Sequence, residues 1–256
     1  MAKDVVCVFC GERRARGKEH MIPRWLQIFI AGSTSDHFMG SHVSMASAEL
    51  LSTRRQPGES VVFGHVCQVC NGGWMNTLEV SAAGLLKDAV TNGGSANTWG
   101  REDCELVARW TFKTAAMINA GSNYRRIIPP QHLRDFYERE QLPQGLVVDV
   151  GLLAPSAVPT IEWRQSQNFP VFSQPESLEA TGRALLQSYR VTIAMNQLLV
   201  KVMYWPDPSG VPLGWGEVES VRIWPYSEDV AFDKISAQSA NEAAIDYFDF
   251  GYVEYP

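Results

Sequence analysis

The 256-residue sequence has no apolar run long enough to cross a membrane. Its most apolar short stretch, Trp25 to Ala31, falls far below the ~20 residues that a spanning helix needs. Met1 to Gly11 has no basic start leading into a long apolar core, so no secretory signal is read there and the expected location is the cytoplasm. The chain contains no glycine-rich phosphate loop, no dinucleotide glycine fingerprint and no Gly-x-Ser-x-Gly elbow, which removes three common enzyme readings. It has no internal repeats. Cysteine is scarce, with 5 residues, and charged residues make up 20% against a hydrophobic share of 45%. That balance excludes a disordered chain, a collagen-like chain and a coiled coil. The length suffices to bury a core without disulfide staples, as one large domain or two small ones.

The net charge of -6 argues at first against a nucleic-acid partner. The charge is unevenly spread. Residues 1–79 carry a balance of +1 and residues 80–256 a balance of -7. Arg13, Arg14, Arg16, Lys18 and Arg24 crowd the first segment, which also holds His20, His37, His42 and His65 and all the cysteines except Cys104. The run from Arg13 to Lys18 reads either as a solvated basic loop or as a loop that contacts phosphate. Local positive charge matters more for phosphate than the total.

Cys7-Val8-Phe9-Cys10 and Cys67-Gln68-Val69-Cys70 are two C-x-x-C knuckles. Each can offer two thiolates from a tight turn, and two knuckles complete a tetrahedral zinc site. The 56 intervening residues exceed the spacing of a plain zinc ribbon. A clasp between distant segments accommodates that insertion. Disulfides, a redox pair and unmetallated thiols are the competing readings, of which disulfides suit a cytosolic chain poorly. Zinc held by four thiolates is closed to substrate, so its role would be structural. Cys104 reads as a buried small hydrophobe.

Beside the knuckles stand two further segments. Glu19-His20-Met21-Ile22-Pro23 follows the first, and Asn71-Gly72-Gly73-Trp74-Met75-Asn76-Thr77-Leu78-Glu79 follows the second. Asn71 reads as a helix N-cap, and Trp74, Leu78, Leu85 and Leu86 recur at helical spacing. On that helix Asn71, Met75 and Glu79 share a side, with Asn76 near them. Glu59 to Val66 reads as a strand, and Pro23 to Phe29 as a short helix with proline in its first turn. Trp25 and Trp74 are expected to pack around the clasp. His37 and His42 are expected in a Gly/Ser-rich loop, without a catalytic role.

The order Cys7-x-x-Cys10, Glu19-His20-Met21-Ile22-Pro23, Cys67-x-x-Cys70-Asn71 resembles the HNH nuclease family, over roughly residues 5–82. The resemblance implies a zinc-stapled ββα-metal finger that hydrolyses phosphodiester bonds in DNA, with RNA also open. It implies that His20 is the general base, that Glu19 is the metal-binding acid and that Asn71 is a further metal ligand. The implied cofactors are a structural Zn²⁺ at Cys7, Cys10, Cys67 and Cys70 and a catalytic Mg²⁺ or Mn²⁺. A neutral imidazole near pH 7 suits proton abstraction from water, and oxygen ligands suit a hard divalent ion. The sequence departs from the family in two places. Val62 stands where the family has an Asn that orients the base, with His65 or a backbone carbonyl as possible replacements. The later helix ligand is absent, with Glu79 or Asn76 as the substitute. Arg13, Arg14, Arg16, Lys18 and Arg24 are the expected nucleic-acid contacts.

The expected class is α+β. An HNH-like module over residues 1–90 is followed, after a linker at Thr91–Asn97, by an α+β domain over 98–256 with mainly antiparallel strands. Glu102–Ala120 and Gln131–Glu140 read as helices. Leu146–Val150, Tyr189–Met195, Leu198–Trp205 and Ser220–Trp224 read as strands, with a hairpin turn near Asn196-Gln197. Ser236–Tyr247 reads as a last helix. Glu105, Arg109 and Lys113 form an i,i+4 charge ladder, read as a solvated face or, more sharply, as a path for nucleic acid. The acidic second half suits a scaffold, specificity or partner-binding role. Two other functions compete with a nuclease: a zinc-stabilised nucleic-acid-binding or adaptor module without catalysis, and a protein-interaction domain with structural knuckles. No membrane partner is expected, and a dimer is open.

Overall fold

In the computed structural model, described at residues 6–12, 17–32, 37–44, 49–121, 125–154, 161–167, 171–172, 178–214, 220–228, 249 and 251–255, one buried helix organises the chain. This is α4, Arg101–Gly121. From Val107 to Ala120 almost every side chain is buried, on all sides of the helix. A surface helix shows an apolar stripe, whereas a helix buried all round lies in the core. The start of α4 is set by Gly100, whose N–H donates to Asp103 at 3.1 Å. Glu102 and Asp103 place negative charge in the first turn, where the helix dipole favours it.

Before α4 come β1 (Gly17–His20), α1 (Arg24–Ala31), β2 (His37–Ser44), β3 (Glu49–Pro57), β4 (Val62–Val66), the single turn α2 (Gln68–Cys70) and α3 (Asn76–Thr91). After it come α5 (Pro130–Arg139), β5 (Leu146–Leu152), β6 (Ile161–Gln167), β7 (Val171–Phe172), α6 (Leu178–Gln187), β8 (Tyr189–Met195), β9 (Leu198–Tyr204), β10 (Val211–Gly214), β11 (Ser220–Trp224) and β12 (Gly251–Glu254). The class is α+β with mainly antiparallel strands. A seven-stranded sheet runs β11-β5-β9-β8-β6-β2-β3, in which only β2 and β6 pair in parallel. The sheet β10-β12-β7 and the pair β1-β4 are separate. Helix α4 packs on α3 and β4 and also on β8, β9 and β11.

The expected hairpin is present as β8 and β9, turning through Asn196 with φ 50. The strands over 146–150 and 220–224 and the helices over 102–120 and 131–140 also form, within a residue or two. Three expectations are corrected. Thr91–Asn97 is not a bare linker: α3 runs to Thr91 and a 3₁₀ helix spans Gly93–Thr98, with Ala96 buried. His37 and His42 lie on β2, not in a loop, because residues 37–44 pair with β3 on one side and β6 on the other. Glu59–Ser60 belong to a 3₁₀ turn, so the strand starts at Val62. β2 and β3 complete the sheet built by the later strands, and one core includes residues from Cys7 to Ile223. The expected helix at 236–247 lies outside the described residues.

The central strands β5, β8 and β9 are buried along almost their full length. Val148, Val150, Val191, Ile193, Val200 and Val202 belong to the core that contains α4. The alternate positions carry charge: Asp149 pairs across the strands with Lys201, and Lys201 with Thr192. Arg222 donates to Asp149 at 3.0 Å and Arg190 to Asp249 at 2.7 Å, so these buried charges are paired.

Helix α5 reaches the sheet through His132, whose Nδ1 lies 2.9 Å from the Tyr189 hydroxyl. Its ring meets Tyr204 edge-on at 4.5 Å. Burial holds the imidazole down at about 4, with only a partial counter-pull from Asp135. The unfolded chain therefore takes up a proton near pH 6.5 that the folded chain refuses until about pH 4. Stability is intact above pH 6.5 and falls as the pH drops below it. The loss should reach about 2 kcal/mol near pH 4.5, after a discount for partial exposure. His132→Phe should flatten this part of the curve, measured by denaturant midpoints between pH 7 and 4.5. An unchanged slope in the variant would exclude His132 as the source.

Candidate functional site

The antiparallel β1–β4 pair brings the two knuckles together at one end, since Gly17 at the start of β1 lies opposite Val66 at the end of β4. Cys7 and Cys10 precede β1, in a turn closed by Gly11 N–H donating to the Cys7 carbonyl at 2.9 Å. Gly11 sits at φ 71, a left-handed geometry that glycine adopts without strain. Val8 N–H donates to the His65 carbonyl at 3.0 Å and pins this turn to β4. Cys67 ends that strand and caps α2, its Sγ accepting from Cys70 N–H at 3.4 Å. Helix α2 thus begins before Asn71, which has helical φ/ψ and stands at its C-terminal end, not as an N-cap.

The ligating atoms of Cys7, Cys10, Cys67 and Cys70 all lie within 4.8 Å of one another. Cys10 Sγ and Cys67 Sγ are 3.8 Å apart. That is far longer than a disulfide bond of about 2.05 Å. It equals the edge of a tetrahedron whose metal–sulfur bonds are about 2.3 Å, as zinc requires. The donor set therefore fits a metal ion such as zinc. Burial raises Cys7 and Cys70. Burial also acts on Cys67, but hydrogen bonds from Cys70 and the neighbouring thiols outweigh it and bring that thiol down to about 7. One thiolate near neutrality gives a cation its first anchor, and binding would displace the remaining protons. Among the described residues this is the only cluster of three or more His, Cys, Asp or Glu side chains close enough to share a metal ion.

The clasp is joined to the core by aromatic rings. Trp74 meets Phe9 edge-on at 5.1 Å and Phe136 at 5.5 Å, and Phe136 meets Phe112 of α4 at 5.1 Å. Trp74 is thus a packing residue, as expected. Cys104 is fully buried on α4, and burial pushes its thiol up to about 12.

A second cluster forms where β1, the 71–75 segment, α3 and α4 meet. In the β1–β4 pair Glu19 lies opposite Phe63 and His20 opposite Val62. Gly121, at the end of α4, clears space for the next residue: a β-carbon there would lie 2.1 Å from Met21 Sδ. Residues 71–75 form a π-helical turn broken at Gly73, with φ -97 and ψ -113. The Asn71 side chain acts on the Glu19 carboxyl and lowers it. Glu79, in the first turn of α3, takes a hydrogen bond of 2.5 Å from Lys113 Nζ.

These groups set one another's charge. Burial raises the Glu19 carboxyl, as does repulsion from Glu79, while Lys113 and Asn71 pull it back. Burial lowers the His20 imidazole and so does the Arg24 guanidinium, against an opposing pull from Glu79. His20 is thereby kept neutral at pH 7 and able to accept a proton.

Glu19, His20, Asn71 and Glu79 are therefore neighbours, as the sequence suggested. Asn76 is exposed. Arg24 is exposed at the first position of α1 and has no carboxylate partner among the described residues. Arg13, Arg14 and Arg16 lie outside the described residues, and of Lys18 only the strand backbone is described. His65 does not serve His20. It lies at the far end of β4, against the Phe63 ring at 4.8 Å.

Lys113 is the residue that sequence reasoning misplaced. Its side chain is 1% exposed, so the ladder with Glu105 and Arg109 is not a solvated face at this position. Arg109 instead bonds Glu140 at 2.6 Å. The available signal was the mostly apolar run around Lys113 on α4, broken by Arg109, Thr111 and Thr114, where a buried charge must be paired.

No family model, curated protein or solved structure matches the chain.

Cys70→Ser should cut zinc content from about one ion per chain to near zero and lower Tm by roughly 10 °C or more. Cys104→Ala should keep full zinc. Elemental analysis with calorimetry checks both, and full zinc in Cys70→Ser would remove the clasp.

Proposed function

We propose that the chain is an HNH-type, metal-dependent endonuclease that hydrolyses phosphodiester bonds in DNA. The observation that carries this reading is the convergence of Glu19, His20 and Asn71 in one cluster on a β-pair and helix stapled by four cysteines. Phosphodiester hydrolysis needs an attacking water, a base to deprotonate it and positive charge for the phosphate. His20, neutral and half-buried, takes the proton from water at an imidazole nitrogen. Arg24, exposed beside it, meets a phosphate oxygen.

The oxygen donors fit a hard divalent ion. Glu19 offers a carboxylate and Asn71 an amide carbonyl, both of them oxygen donors. Mg²⁺ accepts so few protein ligands because waters and phosphate oxygens complete its shell. Glu19 and Asn71 would hold it. When bound, a divalent ion there supplies charge stabilisation to the phosphate as the bond breaks.

One observation favours a second reading, a nucleic-acid-binding module without catalysis. Val62, directly opposite His20, cannot orient an imidazole, and no hydrogen bond to the His20 imidazole forms among the described residues.

A plasmid-cleavage assay separates the two readings, using wild type and His20→Ala with Mg²⁺, Mn²⁺ or EDTA. A single-stranded RNA substrate runs in parallel. The nuclease reading expects metal-dependent cleavage of DNA, reduced by about a hundredfold or more in the variant, with zinc content unchanged. Full activity in His20→Ala would falsify the role of His20. Salt-sensitive binding without cleavage would establish the second reading.

A further inference from the structure

We propose that a cavity beside the cysteine clasp binds a small amphiphilic anion, an aliphatic body carrying a phosphate or carboxylate head. The site stands apart from the nuclease reading, because none of Glu19, His20 and Asn71 lines the cavity.

The cavity measures about 360 Å³ and lies where the first knuckle turn, β4, α4 and the start of α5 meet. Small-molecule sites begin at about 300 Å³. Helix α4 turns Ala116 and Ala120 toward it, two small side chains one turn apart, and Val8, Ile128 and Leu133 extend the apolar wall. Asn119 is the one amide side chain in that wall, and its hydrogen bonds are already made. Its Oδ1 accepts from the N–H groups of Ile127 and Ile128 at 3.1 and 2.9 Å, and its Nδ2 donates to Gln165 at 2.7 Å and to the Arg125 carbonyl at 3.4 Å. The wall therefore offers a ligand apolar contact without directional side-chain bonding, which suits saturated carbon and not a nucleobase.

The rim is cationic. Arg126 and Arg134 both border the cavity, and no Asp or Glu does. Both are exposed, and neither has a carboxylate partner among the described residues. The Arg126 guanidinium lies 5.8 Å from the centre of the Phe63 ring, which also meets His65 of the cavity rim. Arg134 reaches from α5 to the knuckle turn, its Nε 3.7 Å from where a β-carbon on Gly11 would stand. Two unanswered guanidiniums at one apolar hollow call for an anion, and each can donate paired N–H groups to a phosphate or carboxylate. The head would meet the arginines while the chain fills the space over Ala116 and Ala120.

Titration calorimetry on the zinc-loaded full chain tests this with octyl phosphate, octanoate, 1-octanol and inorganic phosphate, all below micelle-forming concentrations. At least one octyl anion should bind at one per chain, about tenfold or more tighter than octanol or inorganic phosphate, each of which carries only half of what is recognised. Either octyl anion supports the site, and the tighter one names the head. The double variant Arg126→Gln/Arg134→Gln should weaken this binding about tenfold or more. Ala120→Leu, which fills the cavity from α4, should do the same. Tm and zinc content establish that each variant is folded, and the exposed arginines keep the test open if Ala120→Leu does not fold.

No binding of either octyl anion, inorganic phosphate binding as tightly as octyl phosphate, or unchanged affinity in the double arginine variant would overturn the site. A short DNA duplex that displaces the octyl anion, and whose own affinity falls in the arginine variant, would make these arginines nucleic-acid contacts and overturn it as well.

Discussion

A lysine ammonium carried into a protein core must take its counter-charge with it. Lys113 sits on the most buried helix of the chain, and the only way to place it there is to bring a carboxylate from another element against it. Glu79 meets that requirement from the first turn of α3. The ion pair therefore sets how α3 lies on α4, and with it where Asn71 stands at the start of the same helical stretch. Glu19 and His20 approach from β1. The acid-base cluster depends on this single pairing, because its loss would leave a charge stranded in the core.

The cysteine cluster and the aromatic chain hold the other side of the same arrangement. Cys7 and Cys10 come before β1 and Cys67 and Cys70 after β4, so a metal among them would close the β-pair at one end. Phe9, Trp74, Phe136 and Phe112 carry that closure inward to α4 by ring-to-ring contacts. The metal clasp and the ion pair thus act on the same helix from two directions. One is coordination and the other is electrostatic. Helix α4 in turn rests on a sheet whose second face carries paired charges. Asp149 and Lys201 are tolerated there because strand register places them side by side, and Arg190 because Asp249 pairs with it.

Much of this was legible in the residues themselves. The knuckles, the Glu19-His20 pair and the step from Cys70 into Asn71 are local patterns, and local patterns constrain the turns that carry them. The strands of the later sheet were visible because runs such as Leu198 to Tyr204 are apolar on both faces. Three features were not legible. Asn71 is not an N-cap, because Cys67 had already capped the helix with its sulfur. His42 is a strand residue, because residues 37–44 are held by partners more than a hundred positions away. Lys113 was read as solvated, because a 3.6-residue charge ladder has the same spacing whether or not other elements cover it.

The sequence by itself determined the chemistry available: four thiolates, an acid beside a histidine and an amide at a helix start. It also determined the α+β class, since helical and alternating periodicities are properties of neighbouring residues. Only the tertiary structure decided which carboxylates meet, which cation answers them and that the two expected halves share one sheet and one core. The physical reason is that burial and ion pairing depend on contacts between residues far apart in the chain. No window of adjacent residues records whether the opposite side of a helix faces water or another element.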